Sequence, residues 1–444
     1  MMRLLLALSS LAAAARAQQV MSRRLLPDAL VTGLGARCMD GSAGGYFVLR
    51  AAGANASKLV IFIEGGGECR TSEECVAWHG SHASNSSQWA PSRTPQPQSE
   101  MSTDCSENPD FCTWSKVFIP YCTGDMHSGQ QTARNPALAN YYYSGHLQIV
   151  GVAADLKASG APLASPSHVL VVGSSAGGIG ALMHTDFFAE QWPSAVVKGA
   201  PECGFFYAGV TAADDLSKGE ATPAAHLGFT PEWKPYLPSA CAAATGNNMS
   251  QCTDAHYLYP HLKQPIFIRE NQYDTAKLAN CGWDGSNAAY LKLWGEWMRA
   301  ELGVIAQSPK DGFFSAACLE HGGNFGWASS PVINGVTMQA AMRNWYFELG
   351  NRSLHYTYDD CAESGGSGLP CTAVDAESQQ RCPHWASSPG GGVSAQCLSE
   401  LGKDCPGLRG KGQSCGQCVR AHGAFRLPTP YPLASVQPQH TRRS

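Results

Sequence analysis

Short apolar runs alternate along this chain with longer stretches of helical texture. Residues 59–63 (LVIFI) form a continuous, β-branched run that stops at Glu64-Gly65-Gly66-Gly67. A run of that length, apolar at every position, predicts a strand buried on both faces, the habit of parallel sheets. Residues 117–119, 168–172 and 266–268 are runs of the same kind. Residues 176–192 and 338–349 read as helices. Strands alternating with helices predict an α/β fold with a mainly parallel sheet. Residues 78–113 break the pattern with clusters of Ser, Asn, Pro and Gln, and predict a long surface excursion. Beyond about residue 355 the apolar runs vanish, and seven cysteines fall between Cys361 and Cys418 among Gly-rich spacers. The pattern therefore divides the chain into a main domain over 18–360, a small cysteine-rich appendage over 361–425 and a disordered tail over 426–444.

Composition narrows the setting. Lys+Arg is 31 and Asp+Glu is 35, a net charge of −4. A chain so near neutrality has no electrostatic footprint for nucleic acid. Residues 1–17 have a basic start, a short apolar stretch and Ala15-Arg16-Ala17, the layout of a secretory signal peptide. No later run is long enough for a transmembrane segment. The 18 cysteines fit disulfides in an oxidising compartment, and Asn-x-Ser sequons stand at Asn55, Asn85, Asn248 and Asn351. Together these predict a secreted glycoprotein of the extracellular space or cell wall.

The chemistry concentrates at Gly173-Ser174-Ser175-Ala176-Gly177, between a buried run and a small-residue helix start. This fits the Gly-x-Ser-x-Gly nucleophile elbow, where a sharp turn lifts the serine hydroxyl above the carboxyl ends of the strands. A Gly/Ser-rich connection without chemistry could carry the same five residues. A second Gly-rich segment, Glu64–Cys69, follows the first buried strand, where such folds draw a backbone N–H for the oxyanion hole. A phosphate loop is the weaker reading, since no Gly-Lys-Ser/Thr follows. The order Ser, acid, His leaves His321 and His355 as candidate bases, with His384, His422 and His440 poorly placed. Asp274, just after the run at 266–268, is the first candidate acid; Asp284 and Asp311 follow it. Cys415-Gly416-Gln417-Cys418 with His422 has a zinc-like spacing, but disulfides are the better reading in so cysteine-rich a chain. Eleven cysteines up to Cys318 and seven from Cys361 are two odd numbers. A crossing bridge, two free thiols or a domain boundary just past Cys361 would reconcile them, and the boundary is preferred.

These residues carry a family resemblance over roughly 31–350. Cys38-Met39-Asp40-Gly41 with Gly45-Tyr46, the Glu64–Cys69 loop with Cys75, FIPYCTGDMHSG at 118–129, GSSAGG at 173–178, Tyr273-Asp274, Cys318-Leu319-Glu320-His321 and Asn344–Phe347 occur in order. The chain resembles the pectin acetylesterase family, which also contains the Notum-type carboxylesterases. The resemblance implies an α/β-hydrolase fold with Ser175 as nucleophile, His321 as base and Asp274 as orienting acid. It implies an oxyanion hole from the amides of Gly66, Gly67 and Ala176, and bridges Cys38–Cys122 and Cys69–Cys75. No metal or organic cofactor is implied. The expected activity is hydrolysis of O-acetyl esters on a pectin-like polysaccharide. The alternatives are removal of longer acyl chains from protein or lipid, and an inactive binding protein on the same scaffold. Two departures stand out. Glu68 replaces the family's aromatic before the loop cysteine, and Glu202-Cys203 precedes Gly204-Phe205-Phe206 where relatives tend to carry an Asp-containing segment.

Overall fold

A computed structural model describes residues 19–78, 83–207, 228–280, 288–322, 326–327 and 330–359. The expected signal peptide, the appendage, the tail and Asp284 lie outside the described residues.

The main sheet joins β1 (Met21–Leu25), β2 (Gly45–Leu49), β3 (Lys58–Ile63), β4 (Ser92–Arg93), β5 (Ser115–Ile119), β6 (His168–Ser174), β7 (Val196–Glu202), β8 (Phe267–Arg269), β9 (Gly312–Ser315) and β12 (Tyr356–Tyr358). β10 (Val332–Ile333) and β11 (Val336–Thr337) make a separate pair. The order across the main sheet is β12-β9-β8-β7-β6-β3-β5-β2-β1-β4. Strands from β12 to β5 pair in parallel, and β2, β1 and β4 extend the sheet antiparallel. The α/β-hydrolase-like architecture with a mainly parallel sheet is therefore present.

The two-faced burial of the central strands explains their sequences. Leu59, Ile61 and Ile63 of β3 pack with Val169 and Val171 of β6 under two helices, α2 (Gly145–Ala158) and α3 (Ala176–Gln191). Val60, Phe62, Leu170 and Val172 face the other way, toward Met342 and Trp345 of a helix at Met338–Tyr346. Side chains alternate across a strand, so a run buried on both sides must be apolar at every position. Each such side chain contributes about 1.5–3 kcal/mol by leaving water.

Residues 83–113 differ from the expected surface excursion. Their regular structure is sparse, yet Trp89, Met101 and Phe111 are buried in the second core. Cys105 and Cys112 are bridged. Lys116 of β5, fully buried, donates to the carbonyl oxygens of Glu100 and Phe111. Scattered apolar anchors and buried polar contacts hold this segment to the sheet, and neither leaves a periodic signal.

Register places the site. Ile63 of β3 pairs with Gly173 of β6, and Ser174 pairs with Glu202 of β7. Glu202 in turn pairs with Arg269 of β8. The loops after these strands thus leave the sheet side by side at its carboxyl edge, where open parallel sheets hold their ligands.

Candidate active site

Ser175 occupies the turn between β6 and α3 at φ 57°, ψ −124°. Positive φ is strained for a residue with a side chain, and such strain persists only where the surroundings over-determine it. The neighbours must be small here. A Cβ on Gly177 would run into the carbonyl oxygen of Ile63, and one on Gly65 would stand 3.0 Å from the Ser175 Cβ. The Gly-rich loop is therefore seated directly against the serine turn.

The Ser175 hydroxyl donates to His321 Nε2 at 2.8 Å, and His321 Nδ1–H donates to Asp274 Oδ2 at 2.7 Å. Asp274 is fully buried, and its Oδ1 accepts the backbone N–H groups of Ala276 and Lys277 at 2.9 and 3.0 Å. Burial pushes its pKa up, but the His321 charge and hydrogen bond, with help from Lys277, outweigh this and hold it below the ordinary carboxylate range. The histidine loop is tied down by the Asn271 side chain, which donates to the Glu320 carbonyl at 2.9 Å, and by Cys318, which is disulfide-bonded.

The remaining candidates sit elsewhere. Buried His355 pairs its Nε2 with Asn344 Oδ1 at 2.9 Å. The Asp311 carboxylate accepts from Tyr259, Ser308 and the Ile266 amide, a structural knot beneath the strand ends.

On the loop side, Gly66 and Gly67 follow β3, and Ala176 opens α3, where a first-turn N–H has no partner within the helix. Gly67 has φ 78°, a conformation that favours glycine. The loop is held from several directions. Cys69 bridges Cys75 on the short helix α1 (Ser72–Trp78). That helix starts with a reciprocal cap, in which Thr71 Oγ1 accepts the Glu74 N–H and Glu74 Oε2 accepts the Thr71 N–H. The Tyr121 hydroxyl donates to the Gly67 carbonyl at 2.8 Å and accepts the Met126 N–H at 2.7 Å. Glu64 accepts the Tyr121 N–H, and His127 Nε2–H donates to the Glu64 carbonyl at 2.7 Å. Burial lowers the His127 pKa to about 4, so this ring is a neutral donor. Sequence reasoning did not single out Tyr121 or His127. Both fall inside the FIPYCTGDMHSG stretch, so the signal was a motif whose members act on another loop's backbone. The bridge Cys38–Cys122 anchors the same stretch.

Behind the serine lies a group of buried charges. The Glu202 carbonyl accepts the Ser175 N–H at 2.9 Å, and its carboxylate accepts from Ser174 Oγ at 3.3 Å. Arg269 reaches Glu202 at 3.4 Å and Glu100 at 2.7 Å. Burial pushes the Glu202 pKa up to about 7 against the pull of Arg269. Glu270, fully buried, is pushed up to about 8 by burial, with the neighbouring Asp274 carboxylate adding to the rise and Lys277 opposing it. Among the described residues, Cys203 is a buried free thiol.

The profile of the Pectinacetylesterase family matches residues 15–364. The chain belongs to the pectinacetylesterase family. Among curated relatives in the family, palmitoleoyl-protein carboxylesterase notum1 of Xenopus laevis is 28% identical over 303 residues, covering 64% of this chain and 59% of the relative. Pectin acetylesterase 5 of Arabidopsis thaliana is 26% identical over 340 residues, covering 70% of this chain and 78% of the relative. Human palmitoleoyl-protein carboxylesterase NOTUM is 27% identical over 361 residues, covering 76% and 68%. The chain thus spans about three-fifths of the length of the frog relative. The family name and the relatives' names all describe carboxylic ester hydrolases, and they divide between a polysaccharide acetyl ester and a protein-bound lipid ester.

Sequons and bridges complete the picture. Asn248 and Asn351 are exposed, whereas Asn55 and Asn85 are half-buried and hydrogen-bonded to Thr113 and Ser87. Among the described residues no helix is long and apolar enough to cross a membrane.

Proposed function

We propose that this chain hydrolyses carboxylic esters through an acyl-enzyme on Ser175. The observation that carries the reading is the hydrogen-bonded line from Ser175 through His321 to Asp274, with spacings of 2.8 and 2.7 Å. His321 Nε2 takes the hydroxyl proton as Ser175 attacks the ester carbonyl. Asp274 holds the ring in the tautomer that leaves Nε2 free to accept, and stabilises the imidazolium that forms. The amides of Gly66, Gly67 and Ala176 receive the oxyanion. The alcohol leaves with the proton from His321, and water, deprotonated by the same nitrogen, releases the acid.

The preferred substrate is a short acyl ester, an O-acetyl group on an extracellular polysaccharide. Glu68 supports this, since its carboxylate flanks the Gly-rich loop and stands 4.0 Å from Arg70. Desolvating that carboxylate against a long apolar chain would be unfavourable by a few kcal/mol. A second reading, removal of a longer acyl chain, is supported by the aromatic side of the site. Phe206 packs edge-on to His321 at 6.2 Å and belongs to a cluster with Tyr121, Met126 and Phe229. Four disulfide bridges among the described residues, and a bridged Cys318, support an extracellular setting. The test is a hydrolysis panel from acetyl to palmitoyl esters. Preference for acetyl supports the first reading, faster cleavage of palmitoyl supports the second, and no hydrolysis at any length removes both.

A further inference from the structure

Cys203 is the residue that the proposed chemistry leaves unused. It follows β7 directly, at φ 48°, and its side chain is fully buried beside the histidine loop. A Cβ on Gly322 would stand 3.5 Å from the Cys203 sulfur. The ligand-bearing atoms of Cys203, Asp274 and His321 all lie within 4.8 Å of one another. Thiolate, imidazole and carboxylate are the donor set of zinc and related soft divalent ions, and a small movement that parts His321 from Asp274 and brings the sulfur inward would seat one.

A buried carboxylate oxygen without a hydrogen-bond partner stands in the same neighbourhood, which also holds the cations of Lys277 and Arg269. Glu202 and Glu270 stand around the same thiol, both fully or nearly buried. Glu270 Oε1 lies 3.9 Å from Lys277 and has no hydrogen-bond partner, although the side chain is fully buried.

We infer that Cys203, Asp274 and His321 form an inhibitory site for zinc or a similar soft divalent cation. The ion binds the Cys203 sulfur, the Asp274 carboxylate and His321 Nδ1, with water in a remaining position. The thiol proton is released to solvent. The His321 proton moves from Nδ1 to Nε2, because the metal now occupies Nδ1. Nε2 then carries a hydrogen toward Ser175 and can no longer accept one, so the nucleophile is not activated. The metal takes no part in hydrolysis; it locks the wrong tautomer. The inhibitory half of this inference rests on the proposed role of His321, while the binding half stands on the three ligands alone.

The two halves are separated by two readouts on the full chain. Cobalt(II) is titrated into the native protein and into Cys203→Ala and Cys203→Ser, and the thiolate-to-cobalt charge-transfer band is recorded. Zinc inhibition of p-nitrophenyl acetate hydrolysis is measured on the same three proteins, with chelator added to reverse it. The expected result is a band in the native protein that both variants lack. Both variants retain basal hydrolysis and need at least about tenfold more zinc for half-inhibition, since loss of a metal partner weakens affinity by 10–100-fold. The inference is overturned by the absence of a thiolate band in the native protein. An unchanged band in both variants also overturns it and assigns the metal to other cysteines of the chain. A protein without ester hydrolysis that still shows the Cys203-dependent band leaves the site standing and rejects the proposed activity instead.

Discussion

The two sides of Ser175 are built from different materials. The Gly-rich loop side is held by a disulfide, a tyrosine hydroxyl and a neutral buried histidine. The other side is held by ionisable groups with little access to water: Asp274, Glu202, Glu270, Arg269 and Lys277. In the proposed mechanism the loop presents backbone N–H groups in fixed directions, and neutral hydrogen bonds with a covalent bridge fix direction without adding charge. The other side, in the same proposed mechanism, stabilises the imidazolium that forms as Ser175 attacks, and that is electrostatic work. One half should therefore respond to reduction and lost hydroxyls, the other to charge and pH.

The sharpest break is at the line itself. Ser175→Ala, His321→Ala and Asp274→Ala should each lower kcat by about 10⁴–10⁶ with the fold retained, as triad losses do elsewhere. Full activity in His321→Ala with loss in His355→Ala would reassign the base. Next in size is the loop side. Cys69→Ser with Cys75→Ser, or Tyr121→Phe, should lower kcat by up to about 10²–10³ with little change in KM, the worth of one oxyanion donor. An unchanged kcat in both proteins would show that packing alone fixes the Gly66 and Gly67 amides.

These sites were unequally legible in the sequence. Chain order and strand ends brought out Ser175 and put Asp274 and His321 first among a few candidates, because an elbow fold puts its chemistry at predictable places; the family resemblance chose between them. The central strands β3, β5, β6 and β8 emerged from unbroken apolar runs. β7 (VVKGAPE) did not, because Lys198, Gly199 and Pro201 interrupt the run. The Lys198 ammonium instead donates to the Tyr346 carbonyl and to Glu348. β1 and β2 lie at the antiparallel end, where β1 in particular is exposed at Ser22, Arg24 and Leu25 and spells no buried run. Tyr121 and Glu270 act through partners more than 50 residues away or across the sheet edge, and no local pattern encodes that.

Titration tests the contrast in the opposite sense on each side. The His127 pKa is lowered to about 4, so its share of stability is fully present above the unfolded value near 6.5 and is lost as pH falls toward 4. At full protonation the loss is on the order of 3 kcal/mol. Glu270 is raised to about 8, so its share is fully present below its unfolded value near 4.3 and is lost as pH rises through 8. Thermal melts at pH 5, 7 and 9 should show a smaller acid-side loss in His127→Asn than in the native protein. Glu270→Gln should show a smaller alkaline-side loss. His146 and His184, also buried with lowered pKa values, share the acid-side direction and are held constant in this comparison. Equal slopes in native and variant proteins would show that neither group titrates in folding.

The smallest expected effect concerns Glu68. Glu68→Trp should raise the octanoyl-to-acetyl ratio of kcat/KM by about tenfold, since each buried CH₂ contributes about 0.8 kcal/mol once the carboxylate is gone. A ratio unmoved by the change would place acyl selection on the Phe206 side instead.

The central claim is that Ser175, activated by His321, is the nucleophile. A fluorophosphonate probe applied to the full chain, followed by mass mapping of the modified peptide, tests it most directly. The account predicts one adduct, on Ser175, formed in step with loss of esterase activity and absent from His321→Ala. An adduct on Ser174, or complete inactivation with Ser175 unmodified, would contradict it.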